Sequence, residues 1–331
     1  MDGFQAMVNI RTLQQTGGKN GKSFLIILPK EWISRQKLKK GDPIVVAERE
    51  DGCLIIDPRL PKTKETRSTS IAMESNLRWS ITSKYLLGFD EILVESQEPI
   101  TSTQRQELKK IIKRFVALEV TDENENQIIV QCLVDPTTLP VKKAMKRMHI
   151  IASRMLKEAL KAYFLGDNEN AEAVINQDEE VDRLFFLIVR ELRSAIQYSK
   201  MSEEMGITPV EALDLRLATQ YIERIADLAV DIASRTSEKV EQSLVDQIQP
   251  VADMVREMLS KSVTNLFRFD SEKVAWVINA ERSLIDDITR LRNETLTKIK
   301  GDAPSHLYVI DSLLRIGEAS KDIADLALPQ D

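Results

Sequence analysis

The chain has 331 residues, of which 43% are hydrophobic and 30% charged, and its formal net charge is −6. This length predicts two or three domains rather than one. No apolar run approaches the roughly 18 residues of a membrane span, and the first residues lack the apolar segment of a secretory signal, so we expect a cytoplasmic protein without membrane insertion. Cys53 and Cys132 are far apart, which excludes a cysteine-based zinc site and is typical of a reducing compartment.

The first 57 residues predict short strands separated by turns. Segments 7–13, 24–28, 44–47 and 54–56 are alternating or apolar, and glycine pairs, Asn-Gly or Asp-Gly lie between several of them. Pro29 marks the start of a short helix. The region therefore predicts a small β-rich module, placed at residues 1–60.

A phosphate-binding loop is excluded in this module. The segment from Gly17 to Ser23 approaches the required pattern, but Thr16 stands where the first glycine is needed. The segment also leads into a strand rather than a helix, so no helix N-terminus would face a phosphate.

Charge is distributed unevenly along the chain. Residues 1–41 contain eight Lys or Arg against two acids, a balance of +6, so residues 42–331 carry −12. A basic module on an acidic body indicates a polyanionic partner. Chance placement of surface lysines remains the alternative.

Four segments of the first module resemble the AbrB/SpoVT family of swapped-hairpin DNA-binding domains. They are Thr16-Gly-Gly18, Ser23-Phe-Leu-Ile-Ile-Leu-Pro-Lys-Glu-Trp32, Leu38-Lys-Lys-Gly-Asp42 and Asp51-Gly52. The resemblance implies a homodimer whose β-rich surface meets DNA. The basic residues in or beside its strands and turns, which are candidates for phosphate contacts, are Arg11, Lys19, Lys22 and Lys30. A module that only dimerises or binds protein is the alternative.

A small α+β domain is expected next, at residues 61–139. The polar stretch 58–70 has the composition of a linker. The elements predicted after it are helix 77–87, strand 91–95, helix 103–117, and strands 118–121 and 128–133.

Residues 140–331 predict an all-α domain of six helices. They are cut at Gly and Pro signals into 141–165, 169–201, 208–236, 243–268, 271–300 and 304–328. The second half repeats the first: Ala173-Val-Ile-Asn176 matches Trp276-Val-Ile-Asn279, and Ile222-Glu-Arg-Ile225 matches Leu313-Leu-Arg-Ile316. Two three-helix bundles packed side by side are therefore expected.

The repeat and two motifs resemble the PhoU family of phosphate-uptake regulators. The motifs are Asp178-Glu-Glu-Val-Asp182 and Tyr221-Ile-Glu-Arg-Ile-Ala-Asp-Leu-Ala-Val-Asp-Ile-Ala233. With the AbrB-like module, the whole chain resembles an archaeal-type PhoU regulator. The resemblance implies repression of phosphate-starvation responses, contact with a phosphate transporter or its sensor, and metal binding through pairs of acids four residues apart.

Helical geometry predicts, independently of the resemblance, whether each of these acids faces solvent or an apolar surface. Asp178 and Asp182 lie at the margin of an apolar face, where a carboxylate needs a partner or an ion. Glu223 and Asp227 fall opposite the apparent stripe Leu217, Tyr221, Ile225, Leu228 and Ile232, as solvated charges would. Four carboxylates without histidine would suit Mg²⁺, Mn²⁺ or iron. Both a metal site and a plain solvated face remain open.

The second repeat departs from this pattern. Glu281 corresponds to Asp178 and Glu318 to Asp227, but Ile285 and Leu314 replace the other two acids. We therefore expect metal, if bound, in the first repeat.

The sequence does not predict an enzyme. The two histidines, His149 and His306, form no recognisable catalytic arrangement and are expected at a helix surface or in a first turn. The leading interpretation is a DNA-binding transcriptional regulator of phosphate uptake with a metal-binding helical domain. The alternative is a scaffold that modulates a phosphate transporter or its sensor, with the first module used only for dimerisation.

Overall fold

A computed structural model describes residues 10–16, 23–48, 52–58, 66–133, 139–298 and 303–329. The chain divides into two compact units, residues 1–65 and 66–331. Within the described residues, no helix is both long and apolar enough to cross a membrane.

The first unit consists of two short hairpins and a helix. Its described elements are β1 (Gln14–Thr16), β2 (Ser23–Leu25), α1 (Lys30–Arg35), β3 (Val45–Glu48) and β4 (Leu54–Asp57). Strand β1 pairs antiparallel with β2, and β3 pairs antiparallel with β4, as two separate sheets. The strand predicted at 7–13 is wrong in its described part, because residues 10–13 are irregular and β1 begins at Gln14.

This first unit has no core of its own in the part described. Between residues 10 and 58, no side chain that the structure describes is buried. Large apolar side chains are instead exposed on and after β2, including Phe24 at 62% and Ile27 at 61%. Isolated two-stranded hairpins are marginally stable in water, so these apolar groups need a covering surface.

The second unit begins with an α+β module. Its elements are β5 (Ser68–Ala72), α2 (Leu77–Leu86), β6 (Glu91–Glu95), α3 (Ser102–Ile112), β7 (Leu118–Glu123) and β8 (Gln127–Cys132). The sheet order is β5-β6-β8-β7, with β5 parallel to β6 and the other pairs antiparallel. Buried side chains from both helices, among them Ile81, Tyr85 and Leu108, cover one face of this sheet.

Two boundaries predicted from the sequence are wrong in this module. The stretch 58–70 was expected to be a linker, but β5 already begins at Ser68. Its polar residues hide a strand because Ser68, Ser70 and Ala72 are exposed, while Thr69 and Ile71 are half-buried. The helix expected at 103–117 ends at Ile112, and Lys113 caps it.

Seven described helices form the rest of the second unit. They are α4 (Val141–Leu165), α5 (Asn168–Gln197), α6 (Ser199–Met205), α7 (Pro209–Ala233), α8 (Gln242–Phe267), α9 (Ser271–Lys298) and α10 (Ala303–Asp325). Helices α4, α5 and α7 pack together, as do α8, α9 and α10, and α7 also packs on α10. The two predicted triplets thus share one continuous hydrophobic core.

The helix expected at 169–201 is interrupted. Helix α5 ends at Gln197, and Tyr198 has extended backbone angles of φ −130° and ψ 111° before α6 starts. The Tyr198 ring lies 5.1 Å from the guanidinium of Arg67 in the α+β module. The break between α5 and α6 therefore lies where the bundle packs on the α+β module. No glycine or proline marks it in the sequence.

A buried arginine joins the module to the bundle. Arg190 of α5 donates hydrogen bonds of 2.8 Å to the carbonyls of Tyr85 and Phe89 and pairs with Asp90 at 2.9 Å. These partners satisfy the charge in a site where Arg190 is only 5% exposed. The module and helix α5 are thereby held in a defined arrangement.

Candidate metal centre

Two helices carry the four acids of the first repeat. Asp178 and Asp182 lie on α5, and Glu223 and Asp227 lie on α7, which packs directly against it. All four side chains are half-buried.

Local sequence fixes where these helices begin. Asp167 caps α5 by accepting the amide N–H of Asn170 at 3.0 Å. Thr208 caps α7 by accepting the amide N–H of Glu211 at 3.1 Å, and Pro209 occupies the first helical position.

The acids of α5 and α7 lie close enough for their charges to influence one another. Burial raises the pKa of Asp178 to about 6, with a further contribution from the charges of Asp182 and Asp227. Burial also raises the pKa of Glu223 to about 7, assisted by Asp227, Asp182 and Asp178 in that order. Desolvation and mutual repulsion both disfavour the charged form of a carboxyl group. Asp178 and Glu223 therefore retain protons closer to neutrality than exposed acids do.

The pKa of Asp227 is also raised, although a nearby arginine offsets part of the effect. Burial raises its pKa, the nearby Arg224 lowers it, and Asp182 and Asp231 raise it. The guanidinium of Arg224 lies 3.7 Å from the Asp227 carboxylate on the solvent-facing side.

Neighbouring side chains already bind part of the cluster. Gln220 donates to Glu223 at 2.8 Å. Arg114, which follows α3 of the α+β module, donates to Asp182 at 3.2 Å, and its guanidinium lies 5.6 Å from the Phe186 ring centre. One arginine thus connects the α+β module to the acids of the bundle.

The carboxylate groups suit a metal ion in their chemistry, but their present placement does not. Half-buried carboxylates are the oxygen ligands that Mg²⁺, Mn²⁺ and iron accept. In the described ranges, however, no three His, Cys, Asp or Glu side chains are placed so that they could hold one ion. Metal binding would require side-chain rotation and the release of Asp182 from Arg114.

The apolar stripe predicted on α7 is confirmed at Ile225, Leu228 and Ile232, which are buried, and is wrong at Leu217. Leu217, expected to face the core, is 44% exposed, whereas Ala218, Ile222 and Ala229 are buried. Helix α7 packs against α4, α5 and α10, so small alanines allow close approach on several sides. Glu223 and Asp227 consequently lie beside α5 rather than on a fully solvated face.

The second repeat holds a lysine among its acids. A hydrogen bond to Asp325 at 2.6 Å raises the pKa of Lys321, and the charges of Asp325, Glu281 and Asp322 add to this effect. Ile285 is 46% exposed, so it supplies no ligand and little core. Sequence comparison of the repeats missed this internal cation, because Lys321 aligns with Val230 of the first repeat and not with an acid.

The basic residues of the first unit are only partly located. Arg11 and Lys30 are exposed, with Lys30 at the start of α1. Lys19 and Lys22 lie outside the described residues. The structure therefore leaves the candidate DNA-binding set as a prediction.

The two histidines belong to helix packing. His306 lies in the first turn of α10, and its Nδ1 hydrogen-bonds to the hydroxyl of Tyr163 on α4. His149 lies 3.3 Å from the Ser153 hydroxyl, and burial lowers its pKa to about 4. Both are half-buried rather than fully surface-exposed.

Comparisons with known proteins point to the bundle. The PhoU domain family model matches residues 145–236, which include all four acids. PhoU from Pseudomonas aeruginosa is similar over 56% of this chain and 93% of its own, with 18% identity and a TM-score of 0.51. The phosphate transport system regulatory protein PhoU from Streptococcus pneumoniae is similar over 56% of this chain and 91% of its own, at 15% identity and a TM-score of 0.49. No curated protein matches the chain. At 18% identity, the similarity to the Pseudomonas aeruginosa structure shows a shared bundle fold alone.

Proposed function

We propose that this chain regulates phosphate uptake as a dimeric DNA-binding transcriptional regulator whose PhoU-like bundle binds a divalent metal ion. The observation that carries the proposal is the half-buried cluster of Asp178, Asp182, Glu223 and Asp227 inside the segment that matches the PhoU model. Half-buried carboxylates that repel one another are costly for the fold unless they serve a ligand.

Carboxylate oxygens suit divalent cations, and the four side chains would have to rotate towards one another to hold one. Binding would replace the protons retained by Asp178 and Glu223 with a metal charge, which removes the mutual repulsion of the acids. The carboxylates of all four residues would hold the ion, and Arg114 would have to leave Asp182. Metal occupancy would thus change a contact between the bundle and the α+β module.

The first unit supports a dimer. Its described side chains form no buried core, and Phe24, Ile27 and Leu54, which lie on or just after its strands, are exposed apolar groups. A second copy of the same unit would cover them by pairing hairpins, which is what the AbrB-like pattern implies. The basic balance of residues 1–41 then gives the dimer a surface suited to the DNA backbone.

Transcript and transport measurements separate this proposal from the scaffold alternative. Cells with and without the chain would be compared in phosphate-replete medium for mRNA of the phosphate transporter genes and for phosphate uptake by fixed amounts of transporter. A transcriptional regulator changes the mRNA level. Unchanged mRNA with altered uptake per transporter would favour the scaffold and contradict the proposal.

A further inference from the structure

Strand β5 forms an open edge of the α+β sheet. Its bonds to β6 use the Arg67 carbonyl, which accepts from Glu91 at 3.1 Å, and the Met73 N–H, which donates to Glu95 at 2.7 Å. In a parallel ladder alternate residues bond to the same neighbour, so Ser68, Ser70 and Ala72 direct their backbone N–H and C=O groups outward. Among the strands that the structure describes, none pairs with this outer side.

The two edges of this sheet are built differently. Edge strand β7 carries Glu119, Asp122 and Glu123, and its register with β8 shifts between Val120 and Asp122. Charges and bulges of this kind prevent another strand from adding to an edge. Strand β5 reads Ser-Thr-Ser-Ile-Ala, with no charge and no proline, and it pairs with β6 in unbroken register. Of the two edges of this sheet, the β5 edge is therefore the one to which another strand can add.

A groove lies along this competent edge. It encloses about 640 Å³ between β5 and α2, and its lining includes Ser70, Ala72, Trp79, Ser83 and Leu87. The Trp79 side chain is 70% exposed. An exposed tryptophan beside unpaired backbone groups supplies both an apolar anchor and a hydrogen-bonding template for an extended chain.

The charged residues of the groove favour an acidic binding partner. Lys84 and Arg193 line it, against the single acid Glu74. Burial lowers the pKa of Arg216, and the charge of nearby Arg193 lowers it further. A second copy placed across a two-fold axis would bring these basic groups towards their own equivalents, whereas an acidic segment would neutralise them.

We propose that the groove between β5 and α2 binds an extended acidic segment of a partner protein, which adds to β5 as a fifth strand. An apolar side chain of the segment packs against Trp79, and a carboxylate pairs with Lys84 and Arg193. The outward backbone groups of Ser68, Ser70 and Ala72 bond to the segment's main chain. This proposal does not depend on metal binding or on DNA binding.

Selection from a phage-displayed library of random decapeptides on the full chain tests the proposal. Selected peptides would be synthesised with a fluorescent label and their dissociation constants measured by anisotropy. We expect alternating apolar and acidic residues, at least tenfold weaker binding to Ser70→Pro and to Arg193→Glu, and loss of binding when alternate peptide amides are N-methylated. Ser70→Pro removes an outward N–H and no bond to β6.

Matched variants make each result decisive. Arg154→Glu reverses a charge that is also exposed, on α4, and should leave binding unchanged. Trp79→Ala provides a second test of the groove if circular dichroism shows that Ser70→Pro does not fold. The proposal is overturned if no peptide is selected, if selected peptides bind all variants equally, or if basic peptides are preferred. It is also overturned if Ser70→Pro halves the mass of the full chain in solution, since a second copy would then occupy the edge.

Discussion

Glu223 and Asp178 show how a residue's surroundings decide its chemistry. On a helical wheel Glu223 falls where a solvated acid would and Asp178 at the margin of an apolar face, yet both are half-buried and feel the charges of neighbouring carboxylates. The sequence predicted which residues pair at a four-residue spacing, because that spacing alone places them on one helix face. It could not predict Arg114 as the partner of Asp182, because this contact joins residues 68 positions apart.

The pH dependence of stability follows from these raised pKa values. The folded protein holds protons on Glu223 up to about pH 7, whereas the unfolded chain releases them near 4.5. The folded state therefore binds more protons in this window, and stability falls as pH rises from about 4.5 to 7. We expect urea denaturation of the metal-free protein to show this decline and Glu223→Gln to reduce it. Glu318→Gln is the control, and an unaltered slope in Glu223→Gln would contradict the coupling.

Metal binding predicts an asymmetry between the repeats. Mn²⁺ or Mg²⁺ should raise the melting temperature of the native chain by linkage to the folded state. Asp182→Asn and Glu223→Gln should abolish the rise, while Glu318→Gln in the second repeat should leave it intact. The first-repeat site is wrong if the native chain shows no shift, or if only Glu318→Gln removes it.

At the scale of elements, long amphipathic helices are the features that the sequence predicts best. Helix α4 begins and ends at the predicted residues 141 and 165, because Pro140 precedes it and Gly166, with φ 69°, ends it. Strand β5 was missed because Ser and Thr resemble a linker when only composition is read. The break at Tyr198 was missed because tertiary packing against Arg67 accompanies it without a local sequence signal.

Arg114 provides a test of the link between the α+β module and the bundle. Arg114→Ala removes the cation that pairs with Asp182, so a divalent metal no longer has to displace it. We expect tighter Mn²⁺ binding by calorimetry at pH 8, where protons compete little. Arg105→Ala, which breaks the exposed pair with Glu123 on the same module, is the matched control. Unchanged or weaker binding in Arg114→Ala would show that the arginine does not compete with metal.

At the scale of the whole molecule, charge and repeats were visible in the sequence before any fold was known. The basic first 41 residues and the internal repeat of residues 140–331 both follow from counting and alignment. The single core shared by the two helix triplets could not be predicted, because it depends on how α7 packs on α10. The exposure of the apolar side chains described in the first unit likewise became apparent only from the structure.

Self-association should depend on the first unit. Light scattering of the full chain is expected to give the mass of a dimer, because Phe24 and Ile27 need a covering surface. Phe24→Asp with Ile27→Asp should yield a monomer. Leu213→Asp, at an exposed leucine of α7, should remain dimeric. A native monomer would rule out the swapped-hairpin interpretation.

DNA binding by the full chain tests the central claim most directly. Anisotropy would measure its affinity for the region upstream of the phosphate transporter genes over a range of salt concentrations. We predict a steep loss of affinity with salt, and for Arg11→Ala with Lys22→Ala a weaker affinity and a slope lower by roughly one unit per lost phosphate contact. Arg154→Ala with Lys157→Ala, which removes the same charge from α4, should change neither quantity. Binding that is absent, or equally strong and equally salt-dependent in the Arg11 and Lys22 variant, would contradict the claim.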